Sequence, residues 1–529
     1  MAATLMAVFE PRDGFAPSAP AVVLPASAPV QGTLSYATLH AIVLDFQAQL
    51  ASLGLEPGKV VSSSLVNGIE FVVSFLAVGA ERLVSAPLNP AYSAGEVSFY
   101  LKDTDSALLL VPAGTLSASK EPPTVKAARE CNVPLAEAIF NPSAASGRGA
   151  LELVFEGGKK AERASVRKPQ SQDTALVLHT SGTTGRPKAV PLSHLNLTTT
   201  MRNIINTYKL APSDRTALVM PLFHVHGLLC GLLATLLSGG SAMIPPKFSA
   251  SVFWKEFVAA QCNWYTAVPT IHQILLATPH PSPIPKIRFI RSCSSALSPA
   301  TFHAIEEAFG APVLEAYAMT EAAHQMCSNP LPPAKRKPGS VGLGQGVEVK
   351  ILDGQGREVA QGQEGEVCIR GANVTKGYIN NDKANQESFV SQANDGPREN
   401  WGFFRTGDQG KKDTDGYIVL TGRIKELINR GGEKISPLEV DAALLAIEGV
   451  GEAVSFAVPD EKYGEKVGAV IVPKKGATLE PEQIKKALDG KLSKFKIPEN
   501  IYVSDSIPKT ATGKVQRRNV AATFVKAKL

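Results

Sequence analysis

The sequence predicts an α/β protein: a large N-terminal domain of mixed, mainly parallel sheets carrying a β-rich subdomain, then a small α+β C-terminal domain. Three observations lead there. The chain has 529 residues, more than one hydrophobic core organises, so two or more domains are expected. From Leu34 to Val111, and again from Leu218 to Val313, helical periodicity alternates with short apolar runs, as when helices cover a mainly parallel sheet. After Lys337 the texture changes to short strands punctuated by glycine, and from Pro437 helix and strand alternate again.

Taken in order, residues 1–33 are rich in Ala, Pro and Ser and read as a segment draped over the surface ahead of the fold. Leu39–Leu53 and Glu70–Val78 read as helices, Val60–Leu65 and Ala107–Val111 as strands. Residues 155–173, with Gly157-Gly158-Lys159-Lys160, read as a surface connection. Strands are expected at Ala217–Met220, Trp264–Val268 and Lys286–Ser292, with a helix at Phe253–Ala260. Val347–Leu352, Gly365–Arg370 and Tyr417–Leu420 belong to the β-rich subdomain, about 338–424, which ends a first domain of 1–424. The second domain, 425–529, places Val440–Ala446 and Glu482–Leu488 as helices around the strands Ala453–Val458 and Val467–Val472.

Composition narrows the function. An apolar fraction of 44% and a charged fraction of 19% describe a globular protein. A net charge of +6 spread over this length fits small anionic substrates better than a nucleic-acid footprint. The six cysteines are scattered without a C-x-x-C pair, which points to reduced thiols and away from a disulfide framework or zinc site. The N-terminus lacks a basic leader, so no signal peptide is expected, and the most apolar stretch, Leu228–Leu237, is too short to span a membrane.

The central stretch is 175–188. An apolar run, Ala175 to Leu178, stops at the loop Thr180-Ser181-Gly182-Thr183-Thr184-Gly185-Arg186-Pro187-Lys188, and Ala189–Leu192 reads as a returning strand. Two glycines permit a tight turn close to a ligand. Four hydroxyls, outward N–H groups and two cations are the chemistry of a polyphosphate grip. The spacing is not that of a Walker loop, whose lysine follows its second glycine into a helix.

That ordered string resembles the phosphate loop of the adenylate-forming superfamily, and further motifs extend the resemblance over essentially the whole chain. Tyr317-Ala318-Met319-Thr320-Glu321 is similar to its Tyr-Gly-x-Thr-Glu signature, with alanine in place of glycine. The resemblance implies the adenylate-forming enzyme fold, with ATP, Mg²⁺ and coenzyme A as partners in catalysis. It implies that Thr180, Ser181, Gly182, Thr183, Thr184, Gly185 and Lys188 hold ATP phosphates, and that Ser294, Ser295, Ala296, Glu315, Ala316 and Tyr317 line the adenine site. Thr320 is then the α-phosphate ligand and Glu321 the Mg²⁺ ligand, as suits a hard ion and a carboxylate. In Pro221-Leu222-Phe223-His224-Val225-His226-Gly227, His224 matches the histidine that orients the substrate carboxylate. A metal on His224 and His226 is not expected, because no third ligand sits at a recognisable spacing. Phe404-Arg405-Thr406-Gly407-Asp408 and Gly422-Arg423-Ile424-Lys425 resemble the ribose-binding aspartate with its supporting arginine and the interdomain hinge at Lys425. Arg430, Gly431 and Gly432 resemble a loop facing CoA. Ile507-Pro508-Lys509-Thr510-Ala511-Thr512-Gly513-Lys514 matches the terminal signature whose lysine, here Lys514, serves the first half-reaction.

The implied activity is acid–thiol ligation: a carboxylate takes the adenylyl group of ATP, and CoA then displaces AMP. Polar residues are expected around the acyl group, namely His224, His226, Ser294 and His324, and such a pocket suits a second carboxylate, which is costly to bury unpaired. Within the superfamily these residues resemble the oxalate–CoA ligases, so a small carboxylate, oxalate first, is the expected substrate. A medium-chain fatty acid or an aromatic acid is the alternative within the class. A non-catalytic nucleotide- or RNA-binding protein on the same fold is the alternative outside it. Ala527-Lys528-Leu529 differs from the Ser-Lys-Leu address by one small-for-small change, so a peroxisomal import receptor is an expected partner and the peroxisomal matrix the expected location, otherwise the cytoplasm.

Overall fold

The computed structural model describes residues 3–144, 147–180, 187–391, 397–509 and 515–526. Most of the chain is built on two large sheets. One has seven strands in the order Leu151–Phe155, Leu135–Phe140, Ser106–Pro112, Val60–Ser63, Val84–Pro87, Thr174–Thr180, Lys188–Ser193. Its inner pairings are parallel and each end is closed by an antiparallel strand. The other has nine strands, and its parallel centre runs Val313–Met319, Phe289–Ser292, Trp264–Ala267, Arg215–Leu218, Ser241–Met243. Trp264–Ala267 and Phe289–Ser292 are buried along their whole length and Arg215–Leu218 in all but its first residue, as in the centre of a sheet covered on both faces.

A four-stranded antiparallel sheet follows, Glu348–Leu352, Gly365–Arg370, Phe404–Lys412 and Ile418–Arg423. A five-stranded sheet then gathers Ile428–Arg430, Glu433–Ile435, Val450–Asp460, Gly464–Pro473 and Asn500–Val503. The helices Pro437–Leu445 and Pro481–Leu488 bury Val440, Leu444, Ile484 and Leu488 against it, a core separate from that of the large sheets. The turn Ile424–Glu426 joins the four-stranded to the five-stranded sheet.

Most expected elements are present within a few residues of their anticipated ends. The exception is the start of the chain. Leu5, Ala7 and Val8 are fully buried, and Pro20–Leu24 joins the nine-stranded sheet parallel to Ser241–Met243. The high Ala, Pro and Ser content masked two short apolar runs, Leu5–Phe9 and Ala21–Leu24, each enough for one turn or one strand. The helix Ala94–Asp103 was also not anticipated. Its signal is the capping box, Ser93 with Glu96, in which each side chain takes the other's backbone N–H.

Candidate active site

The strands Thr174–Thr180 and Lys188–Ser193 pair antiparallel to the register Thr180↔Lys188 at one edge of the seven-stranded sheet, which brings the two flanks of the expected phosphate loop together. Ser181, Gly182, Thr183, Thr184 and Gly185 lie outside the described residues, as do Lys514 and Ala527-Lys528-Leu529. Lys188 lies with its Nζ 4.6 Å from the centre of the Tyr378 ring. The Tyr378 hydroxyl donates to Glu321 Oε1 at 2.9 Å. Tyr378 therefore ties the hairpin to the turn Thr320–Ala322, a contact between residues some 190 positions apart that no motif announces.

The strand Val313–Met319 delivers the next group. Tyr317 donates through its hydroxyl to Asp408, and Asp408 pairs with Arg423 at 3.1 Å, the two facing each other in the register of Phe404–Lys412 with Ile418–Arg423. Burial pushes the Tyr317 hydroxyl well above its ordinary pKa, and the Asp408 charge adds to the effect. The residues expected around adenine and ribose are therefore in contact. Glu315 differs from its neighbours: its carboxylate is buried and accepts from the Gly339 amide at 2.8 Å, and Ala316 is buried beside it. Ser295 and Ala296 are exposed at the rim.

Burial pushes the Glu315 carboxyl up to about 8. Because the folded value lies above that of the unfolded chain, the protonated form is favoured by folding. This stability is fully present below the ordinary glutamate value of about 4.3 and is lost as pH rises through about 8. Glu315→Gln keeps an acceptor for the Gly339 amide and cannot ionise. The variant is expected to match the parent in thermal unfolding near pH 4 and to exceed it increasingly up to pH 8, by a few kcal/mol at most. A constant difference across that range would show that Glu315 is ionised in the folded protein.

Burial likewise raises the Glu321 carboxyl. No ion is needed to build this turn, but a buried hard oxygen donor whose ionisation is disfavoured is a fit partner for a divalent cation, which would restore its charge. Among the described residues there is no cluster of three or more His, Cys, Asp or Glu.

The histidines come from two places. His226–Leu233 is a π-helical turn that continues into Ala234–Leu237, and π geometry of this kind marks functional sites. It packs tightly behind the preceding loop: a Cβ on Gly227 would lie 2.3 Å from the Pro221 carbonyl oxygen, so only glycine fits. The His226 amide donates to His224 Nδ1 at 3.2 Å, which directs the ring hydrogen of His224 to Nε2. His226 itself is fully buried, with Nε2 2.6 Å from Thr266 Oγ1 and Nδ1 3.1 Å from Ser294 Oγ. From the other side, Ala323 and His324 adopt positive φ, 48° and 101°, immediately after the turn bearing Thr320 and Glu321. That backbone is unusual for side chains with a Cβ and stores strain. It brings the His324 ring against His226, centroids 5.2 Å apart and planes 24° apart. Ser294 also has positive φ, 75°. Thus the four polar residues expected around the acyl group converge, three of them in direct contact.

Arg291 completes this wall and was not anticipated. It lies on Phe289–Ser292, is 0% exposed, and among the described residues no carboxylate pairs with it. The available signal was a charged residue directly after the apolar pair Phe289 and Ile290 in a fully buried strand. On the C-terminal side, Gly431 and Gly432 form a two-residue hairpin turn with positive φ at both, and Arg430 is held by Glu499 at 2.7 Å over the Tyr463 ring at 4.3 Å. Lys425 is exposed on the connecting turn.

An antiparallel strand pair at a sheet edge, a Tyr–Asp–Arg group beside a buried glutamate, and a flanking cluster of histidines and a serine fit an enzyme of the adenylate-forming class. The chain belongs to the AMP-binding enzyme family: the family model matches residues 12–379, and the model of the AMP-binding enzyme C-terminal domain matches residues 439–514. It is 49% identical over 481 residues to an oxalate–CoA ligase of Saccharomyces cerevisiae, covering 88% of this chain and 87% of that one. It is 48% identical over 499 residues to an oxalate–CoA ligase of Arabidopsis thaliana, covering 93% and 94%. In structure it superposes on ATP-bound MatB from Rhodopseudomonas palustris with a TM-score of 0.86 at 29% identity, over 100% of both chains.

Proposed function

We propose that oxalate is the carboxylate this chain activates. The chain is an ATP-dependent, AMP-forming acid–CoA ligase. In the first step a carboxylate oxygen attacks the α-phosphorus of ATP, giving acyl-adenylate and pyrophosphate. In the second the CoA thiol displaces AMP and gives the thioester. The observation that carries the substrate reading is the wall formed by Ser294, His226 and His324. It offers the His324 ring and the Ser294 hydroxyl, backed by His226, where an alkyl or aryl acid would need apolar surface, and a buried second carboxylate would need such partners. The two oxalate–CoA ligases that the chain resembles at 48–49% identity support the same reading.

The remaining roles are assigned from the motifs and the contacts around them. Thr180, Lys188 and the loop between them would hold the phosphates, Tyr317 the adenine, and Asp408 with Arg423 the ribose hydroxyls. Glu321 would hold Mg²⁺, which when bound neutralises charge on the phosphates. His224 orients the reacting carboxylate, Thr320 the α-phosphate, and Lys514 bridges the two. Such catalysis is positioning plus fixed charge. For the second step the domain beyond Lys425 turns to bring Arg430, Gly431 and Gly432 to CoA. Peroxisomal import rests on Ala527-Lys528-Leu529 alone.

The test is CoA-dependent AMP formation from ATP and Mg²⁺ with oxalate, malonate, hexanoate, octanoate and a cinnamate. Oxalate is expected to be turned over at least 10²-fold more efficiently than the monocarboxylates, the discrimination of a site built to pair polar groups. A preference for an alkyl or aryl acid would remove the substrate reading and leave the adenylation chemistry intact.

A further inference from the structure

We propose that Arg291, Thr266, His226 and Ser294 form a one-directional hydrogen-bond relay that fixes the His226 tautomer and turns the Ser294 hydroxyl outward as a donor to the distal carboxylate of the substrate. The identity of the recipient rests on the oxalate reading; the direction of the relay does not.

The relay starts from a charge. Arg291 is fully buried, and its Nε donates to Tyr208 Oη at 2.7 Å while Nη2 reaches Gln325 Oε1 at 3.5 Å. Its Nη1 lies 3.3 Å from Thr266 Oγ1 and 3.5 Å from His226 Nε2. A guanidinium has donors only and stays charged, so Thr266 Oγ1 accepts from it. With a donor-only cation 3.5 Å from His226 Nε2, the acceptor role is the favoured one for that nitrogen. The Thr266 hydroxyl donates to it across 2.6 Å. The ring hydrogen of neutral His226 is then on Nδ1, where it donates to Ser294 Oγ at 3.1 Å. Ser294 has thereby accepted from within, and its own hydrogen is free to turn toward the pocket.

Each bond polarises the next, so the last donor is strengthened by the buried positive charge at the first. An anion gains from that donor, whereas an apolar chain end gains nothing and would leave it unpaired. The positive φ of Ser294 places Oγ between the imidazole and the half-open pocket edge. Retaining this strained backbone is understandable if the hydroxyl is needed there. Thr266 and Arg291 are positioning residues, because they act through His226.

Thr266→Val keeps the shape and removes the relay oxygen, and Thr266→Ser restores it. The ratio of kcat/KM for oxalate to that for the monocarboxylate turned over best is expected to fall about 10- to 100-fold in the valine variant, through KM for oxalate, and to recover in the serine variant. Equal losses on both acids, or a serine variant no better than valine, would overturn the relay. Nitrogen-15 NMR of histidine-labelled enzyme, with His226 assigned through His226→Gln, reads the tautomer without any substrate. Neutral His226 protonated on Nδ1 is expected. Protonation on Nε2, or on both nitrogens, would overturn the relay whatever acid the enzyme takes. Parent enzyme that ignores oxalate would sink the substrate assignment, while the tautomer still decides the relay.

Discussion

Lys514→Ala is expected to lower adenylate formation by about 10²–10³-fold, the usual loss when one donor to transition-state charge is removed. It should leave thioester formation from supplied acyl-adenylate within a few-fold of the parent. The reasoning is that an ammonium bridging the attacking carboxylate and the α-phosphate oxygens matters only while charge is building there. The residues on either side argue that the substitution would not unfold the domain. Lys509 bridges to Val515 across the intervening segment and is paired with Glu452 at 2.6 Å. Arg517 is fixed by Asp441 at 2.6 Å and by the Ser455 carbonyl at 2.8 Å. The two half-reactions are read separately, by pyrophosphate release and by AMP release on adding CoA. Equal losses in both, with unchanged thermal unfolding, would remove Lys514 from the first step.

Lys514 also shows what a sequence can and cannot reveal. Its motif is contiguous, as are those around Thr180, Tyr317 and Asp408, because each is read from one stretch of backbone. Strands and helices were legible for the same local reason: period and capping are properties of neighbours. Tyr378 on Glu321, and Arg291 behind His226, are contacts between distant segments, set by which strands lie side by side in the nine-stranded sheet and by how the hairpin meets the turn after Met319. A lone tyrosine or arginine carries no local signal of such a partner. The buried start of the chain was lost for a different reason. Five residues supply too short a window for periodicity, and the burial of Leu5–Phe9 comes from the helices Tyr36–Ala51, Ile69–Ala80, His194–Tyr208 and Ala234–Leu237 that pack against it. The histidines were legible as residue types, but their pairing depends on two positive-φ positions that composition does not reveal.

His324→Ala is expected to cost oxalate about 30- to 1,000-fold in kcat/KM, the range for removing one partner of a buried, hydrogen-bonded charge, and a monocarboxylate less than about 10-fold. The expectation rests on where one short turn puts its residues. In the proposed roles Thr320 and Glu321 would serve the phosphate end, and four residues after Thr320 the His324 ring lies against His226. The spacing between the reacting and the second carboxylate would then be set within a single tight turn, which would favour the shortest dicarboxylates over longer ones. Alanine at this position also removes the ring stacked on His226, so a structural loss must be separated from a lost contact. His324→Gln supplies that separation, since it keeps a polar side chain on the same strained backbone. It should recover part of the oxalate activity if His324 donates to the substrate. It should recover none if the ring acts only by packing. Equal effects of both substitutions on oxalate and on a monocarboxylate would place the second carboxylate elsewhere and return the pocket wall to a structural role.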